Sequence, residues 1–348
     1  MNRPHTTVMI VPTGVGAAIG GYAGDALPVA RAISAVTDRL ITHPNVLNGA
    51  QLYWPLPNAY YVEGYALDQF AAGRWQLHPV HQNTIGLVFD RAIEDDLRWR
   101  HLQAADAARA TLGLDIQGYV TTDTPLGVQL KQANAATWGT LAAPDSLLRA
   151  VDQLLQTGCT AIAVVARFPD DVGSDALMAY RQGDGVDPLA GAEAVISHLV
   201  VRQFHIPCAH APALQPLPLD PTISPRSAAE EIGYTFLPCV LAGLSKAPQF
   251  SSAPQPHSIS AGEVDTLVVP ASTLGGSAVL SLSHSQTRII AVQDNTSALA
   301  VDAAALDLKV MPVRSYLEAV GAIAAQRAGI APAALSPNIS PLPSLSSL

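Results

Sequence analysis

The sequence predicts an α/β fold, Rossmann-like, with mostly parallel sheet or sheets and helices on both faces. Three observations predict it. Short β-branched runs alternate with longer helix-like stretches. Apolar residues make up 49% of the chain, against 14% charged and 5% aromatic, and glycine-rich turns follow strand-like segments. Parallel strands are buried on both faces, so they read as short apolar runs instead of alternating patterns. At 348 residues the chain exceeds the roughly 100–200 typical of one domain, so two related lobes or one enlarged sheet both fit.

In order, the strand-like segments are 7–11, 39–42, 84–89, 116–120, 161–166, 205–209, 266–269, 288–292 and 309–312. Helix-like stretches cover 25–37, 94–112, 144–156, 190–202, 227–244 and 315–328, several opened by Asp, Pro or Ser and closed by glycine. Such alternation implies βαβ crossovers. Residues 212–225 carry five prolines and 247–256 three more, so neither is a continuous helix or a central strand. The expected division is an α/β lobe over 1–211 carrying an N-terminal glycine-rich loop, then a second lobe or a continuation of the same sheet over 212–330. Residues 331–348, rich in Ala, Pro and Ser, read as a disordered tail. An echo also stands out. Residues 8–12 followed by Gly20 and Gly21 resemble 267–270 followed by Gly275 and Gly276, and each continues into an Arg-led apolar run, at Arg39 and at Arg288. A duplication and a coincidence among ordinary βαβ units both remain open.

The formal charge of −9, with no run of Lys or Arg, argues against a nucleic-acid partner. Cys159, Cys208 and Cys239 are too few and too scattered for a disulfide framework, which fits a reducing compartment, here the cytoplasm. No apolar run reaches the ~18 residues that span a bilayer, so no membrane segment is expected. The expected partner is a small anionic metabolite. Homo-oligomerisation stays open, and no cofactor is indicated.

The strongest local signal is the loop 11–25, which holds Thr13, Gly14, Gly16, Gly20 and Gly21 between a strand and a helix. Glycines let several N–H groups converge on an anion near a helix start. The loop lacks the Gly-Lys-Ser/Thr ending of a Walker A motif, and its third glycine is displaced by one from the dinucleotide fingerprint. A tight turn needed only for packing is the alternative. A second loop offers Ser272, Thr273, Gly275 and Gly276, although helix capping would explain its hydroxyls. Strand ends add Asn45, Asp294 and Asn295, besides Arg167, Asp170, Asp171 and His210. Arg181, in a polar glycine-containing loop, suits a carboxylate or phosphate. In that loop Asp184 or Asp187 is placed to handle a proton, and the loop leads to a helix with Glu193 and His198. His43, Glu63, Asp90 and Asp184 are the acid–base candidates. Metal ligation is not expected, because the spacings of His78/His81 and of His205/Cys208/His210 complete no recognised ligand set. Cys208, beside His210, is the one thiol placed to act as a nucleophile. A serine hydrolase elbow, Gly-x-Ser-x-Gly, is absent from the sequence.

Residues 12–25 (Pro-Thr-Gly-Val-Gly-Ala-Ala-Ile-Gly-Gly-Tyr-Ala-Gly-Asp), 42–49 (Thr-His-Pro-Asn-Val-Leu-Asn-Gly) and 62–68 (Val-Glu-Gly-Tyr-Ala-Leu-Asp) resemble an uncharacterised family, a domain of unknown function, of cyanobacteria and plant plastids. The likeness covers most of the chain apart from its tail. It implies a cytoplasmic protein of a photosynthetic cell and brings no activity, catalytic residue or cofactor with it.

Two functions compete. One is an enzyme of unspecified reaction that binds a phosphate- or carboxylate-bearing metabolite at the carboxyl ends of parallel strands. The other is a non-catalytic assembly or regulatory protein, whose feature would be an exposed apolar stretch at 52–57.

Overall fold

A computed structural model describes residues 3–22, 24–133, 136–170, 173–231 and 236–342. The chain opens with β1 (Thr6–Met9), α1 (Leu27–Ser34), β2 (Arg39–Thr42), α2 (Pro44–Tyr53), β3 (Ala59–Tyr61) and α3 (Gly64–Ala71). A long middle stretch begins with β4 (Gln76–His78), β5 (Ile85–Phe89), α4 (Asp95–Leu112), β6 (Ile116–Thr121), β7 (Val128–Ala133), β8 (Ala136–Leu141) and α5 (Pro144–Gln156). It continues with β9 (Ala161–Arg167), α6 (Asp175–Arg181), α7 (Ala190–Phe204), β10 (Cys208–Ala213), α8 (Pro225–Glu231), α9 (Leu237–Ser245) and β11 (Gln249–Ser251). Then come β12 (Val264–Pro270), α10 (Ser277–Ser283), β13 (Arg288–Val292), β14 (Met311–Val313) and α11 (Tyr316–Arg327).

The fold is α/β and Rossmann-like, with two parallel sheets. The first runs β3-β2-β1-β12-β13-β14. Counted in order of appearance its strands stand 3-2-1-4-5-6, the order of dinucleotide-binding folds. The second runs β6-β5-β9-β10 and is built wholly from the middle stretch. The first sheet thus takes strands from both sides of residue 211, with β1 paired to β12 in the register Val8↔Leu267. The two echoing segments lie side by side in it, β2 flanking β1 and β13 flanking β12. Where the chain leaves this sheet and returns to it, β4 and β11 pair antiparallel, and Trp75 stacks on Phe250 with ring centroids 5.4 Å apart.

Local sequence explains these elements. In β1 all four residues are buried, and in β9 six of seven, as double-sided packing requires. In α5, Leu147, Ala150, Val151 and Leu154 recur at helical spacing and form its buried face. Asp95 and Asp96 open α4 and Gly113 ends it in a left-handed conformation. Helix α9 is buried almost all round and packs on α2, α4, β9 and β10, which fills the space between the two sheets with aliphatic side chains.

Several boundaries differ from expectation for local reasons. The strand expected at 205–209 forms at 208–213, because α7 runs to Phe204 and His205 caps it in a left-handed conformation. Pro212 is accommodated there because β10 is an edge strand. The helix expected over 227–244 is α8 and α9, with 232–235 outside the described residues. Residues 214–224 are irregular, as their prolines dictate. Of the expected tail, 331–342 is largely exposed with one 3-10 turn at Pro332–Leu335, and 343–348 lie outside the described residues.

Candidate functional site

Ligands of open α/β sheets collect beyond the carboxyl ends of the strands where the crossovers change face. In the first sheet that point lies between β1 and β12. A cavity of about 820 Å³ opens there. Ile10, Pro12 and Thr13 after β1, His43 and Asn45 after β2, Glu63 and Gly64 after β3, and Thr273 and Gly276 after β12 form one side. The opposite side is α7 with the end of β10, including His210 and Pro212. Both sheets therefore contribute to a single cleft, with Leu67, Leu97, Leu189, Leu214, Phe236 and Val279 as apolar walls.

Two imidazole–carboxylate pairs face it. Glu63, only 4% exposed, caps α3 by accepting the N–H groups of Tyr65 (2.8 Å) and Ala66 (3.2 Å) through Oε2. Its Oε1 meets Nδ1 of His198, which comes from α7. That nitrogen is buried while the ring as a whole stays half-exposed. Gly64 leaves room for the ring: a Cβ there would stand 3.1 Å from Cε1 of His198. Burial alone would lower the His198 pKa, but the bond to Glu63 and the charges of Glu63 and Asp68 outweigh it and hold the imidazole above its ordinary value. The second pair is His210, whose Nδ1 lies 3.1 Å from Ser197 Oγ and whose Nε2 lies 3.8 Å from Glu193 Oε2. Nearby, burial and then the charge of Glu193 raise the pKa of Asp187 well above the usual carboxylate range.

The cleft is rich in carboxylates. Glu63, Asp68, Asp187, Glu193, Glu230 and Glu231 line it with Arg100, the one guanidinium among the described lining residues; Glu63 is paired with His198 and Glu231 with Arg181, and the pKa of Asp187 is raised. Three helix starts on the cleft are already occupied by the chain's own carboxylates: Glu63 on α3, Asp187 on the amides of Leu189 and Ala190 at α7, and Asp68 on Ala278 N of α10. A helix start so capped has spent the donors and the dipole that would otherwise attract a phosphate.

His43 differs from both pairs. It is 7% exposed, and its Nε2 accepts the N–H of Val11 at 3.1 Å, a bond that only the unprotonated nitrogen can make. Burial lowers its pKa to about 4, so at neutral pH the ring is uncharged and carries its proton on Nδ1.

A family model described as a protein of unknown function (DUF3326) matches residues 6–336. The chain belongs to this family. It is similar to an uncharacterized lipoprotein of Synechococcus sp., a cyanobacterium, at 63% identity over 341 residues, which cover 97% of this chain and 95% of that protein. No solved structure matches. Every residue of the cleft falls within the DUF3326 region.

The DUF3326 fold brings eight of the sequence candidates to the cleft: Thr13, His43, Asn45, Glu63, Asp187, His210, Thr273 and Gly276. The others stand elsewhere. Gly14 and Gly16 have positive φ, 70° and 61°, and face protein: a Cβ on Gly14 would stand 2.8 Å from Thr137 Oγ1, and one on Gly16 2.9 Å from Gly185 O. Three amides of the loop are taken internally, Ala18 N by Thr296 O, Ile19 N by Asn295 Oδ1 and Gly20 N by Asp25 Oδ1. Gly21 packs against Ala17, and its carbonyl accepts the Tyr180 hydroxyl at 3.4 Å. Asn295 is a buried strut, with Nδ2 donating to Ile19 O and to the Tyr316 hydroxyl oxygen. Ser272 bonds Ser297, Gly275 packs on Val301, and Asp294 pairs with Arg314 at the surface.

Asp90 is a buried organiser of loops that accepts the N–H groups of Ala92, Leu126 and Arg167. Asp184 is exposed and accepts the N–H of Gly185. Arg181 is buried in a two-bond pair with Glu231 and donates to Pro218 O, so its guanidinium is not free for a ligand. Arg167 is likewise held between Glu94 and Asp170, and Asp171 lies outside the described residues. Cys208 is buried and its thiol is pushed well above the ordinary value by desolvation, which removes the thiolate a nucleophile needs. The sequence placed His210 among the strand-end candidates, and Glu193 and His198 only on the helix after the polar loop. Asp68 carried no local signal, because its partner Ala278 is far away in the chain. Among the described residues no three His, Cys, Asp or Glu side chains gather as a metal site.

Proposed function

We propose that the cleft binds a small organic molecule and exchanges protons with it, making the chain an enzyme of acid–base chemistry. The observation that carries this reading is that His198–Glu63 and His210–Glu193 face one apolar-walled cavity at the carboxyl ends of parallel strands. Carboxylate-linked imidazoles are suited to give and take protons near neutral pH. The phosphate- or carboxylate-bearing ligand expected from the glycine loops keeps its place in this reading at the carboxyl ends of the strands. Glu193, on the cleft beside His210, favours a ligand that also presents hydrogen-bond donors or uncharged polar groups.

A thermal-shift screen of metabolites against the protein and its Ala194→Trp variant, which places an indole in the cavity, tests this. Compounds that fit should raise the Tm of the parent and leave the variant unmoved. A screen in which nothing raises the Tm of the parent, or in which both proteins respond alike, removes the reading.

A partner-binding role is the second reading, favoured by Tyr53 and Trp54, which are 49% and 52% exposed. Arg31 stacks over the Trp54 ring, 3.4 Å from its centroid. Trp54→Ala should abolish capture of such a partner and leave the thermal-shift response unchanged. A cytoplasmic location also stands as a proposal. Among the described residues no helix is long and apolar enough to cross a membrane, whereas the Synechococcus relative is named a lipoprotein. Fractionation of cells into membranes and soluble extract decides between them.

A further inference from the structure

His43 is buried, yet the cleft reaches it. Its Nε2 is taken by the N–H of Val11. Its backbone carbonyl accepts the amides of Val46 and Leu47, which fixes the residue at the entrance of α2. The one remaining polar atom of the side chain is Nδ1. It meets no acceptor among the described residues, and it is not one of the fully enclosed polar atoms. An N–H in a cavity wall that no protein group satisfies is a donor open to an acceptor from the cavity, which water or a ligand supplies.

We infer that the ligand presents an uncharged oxygen, a carbonyl group, to Nδ1–H of His43. This rests on the reading of the cleft as a ligand site. The acceptor is an uncharged oxygen because the neutral ring of His43, whose Nε2 accepts from Val11, brings no counter-charge for an anion. The ring is suited to this contact, since neutral imidazole donates one strong hydrogen bond without itself needing a counter-charge. A carbonyl polarised in this way gives up a neighbouring proton more readily. His198, whose Nδ1 is committed to Glu63, has its other nitrogen left for a second contact with the same molecule.

Three compounds of like shape test the inference on the intact protein: cyclohexanone, cyclohexylamine and cyclohexanecarboxylate. Binding is followed by the ¹⁵N resonances of the histidine side chains and by the infrared carbonyl stretch of the ketone. Cyclohexanone should shift the Nδ1–H signal of His43, and its stretch should move to lower frequency when bound. In His43→Gln, provided that it folds, the ketone should bind more weakly with a smaller frequency shift; the ¹⁵N measurement on the parent protein decides the matter regardless. If the amine or the carboxylate perturbs His198 or His210 while the ketone leaves His43 unmoved, the inference fails and the cleft reading survives. If none of the three perturbs any histidine of the cleft, both fall.

Discussion

Glu63 splits its carboxylate between two elements: Oε2 holds the first turn of α3, and Oε1 holds the imidazole of His198 on α7. Helix α3 follows a strand of the first sheet and α7 precedes a strand of the second, so this one side chain ties the two halves of the cleft together.

Glu63→Gln should lower the titration midpoint of His198, read by NMR, since the charge that holds the imidazole up is removed. The sign of the stability effect follows. A histidine whose pKa is raised on folding contributes fully below its unfolded value of 6.5, and the contribution is lost as pH rises through the folded value. The stability difference between parent and variant should therefore shrink above neutral pH. What persists at high pH should be the capping difference alone, on the order of 1 kcal/mol or less, because Gln keeps one oxygen for the cap.

His43 acts in the opposite sense. Its folded pKa of about 4 lies below the unfolded 6.5, so the unfolded chain binds more protons between those values and stability falls as pH drops through that window. The full effect is on the order of 3 kcal/mol. Urea unfolding at a series of pH values should show this acid limb in the parent and a flatter one in His43→Gln.

Gly16→Ala should cost roughly 1–3 kcal/mol, from its positive φ and the closeness of Gly185 O. Affinity per folded molecule for any cleft ligand should be unchanged. An affinity loss larger than the stability loss would return this loop to the binding site.

Asp90→Ala leaves three amides without their acceptor. A loss of about 3 kcal/mol is expected, the scale of hydrogen bonds to a charged group plus donors left buried. Denaturant unfolding measures it. Ligand response should survive in the folded fraction, since Asp90 stands away from the cleft.

The elements that were legible in the sequence are those whose pattern is local. Arg39–Thr42, Pro144–Gln156 and Arg288–Val292 match their expected bounds, because each is a self-contained apolar run or an amphipathic repeat. Helices α2 and α3 escaped notice because Asn45, Asn48 and Gly64 are poor helix formers, and tertiary contacts override that preference. The glycine loop was legible only in part, for a different reason. Its N–H groups were countable from the sequence, but not the fact that Asp25, Asn295 and Thr296 claim those of Gly20, Ile19 and Ala18. The pairing of His198 with Glu63 was equally hidden, because it depends on how two sheets face each other and not on any spacing along the chain.

Because Thr6 pairs with the strand that begins at Val264, the amino-terminal strand emerges from the ribosome long before its neighbour exists. During that interval one edge of β1 stands open to any other extended chain, and the middle stretch has time to fold first. Closing the sheet late, over so long a loop, makes slow folding the expectation, with the binding cleft assembled as one of its last steps.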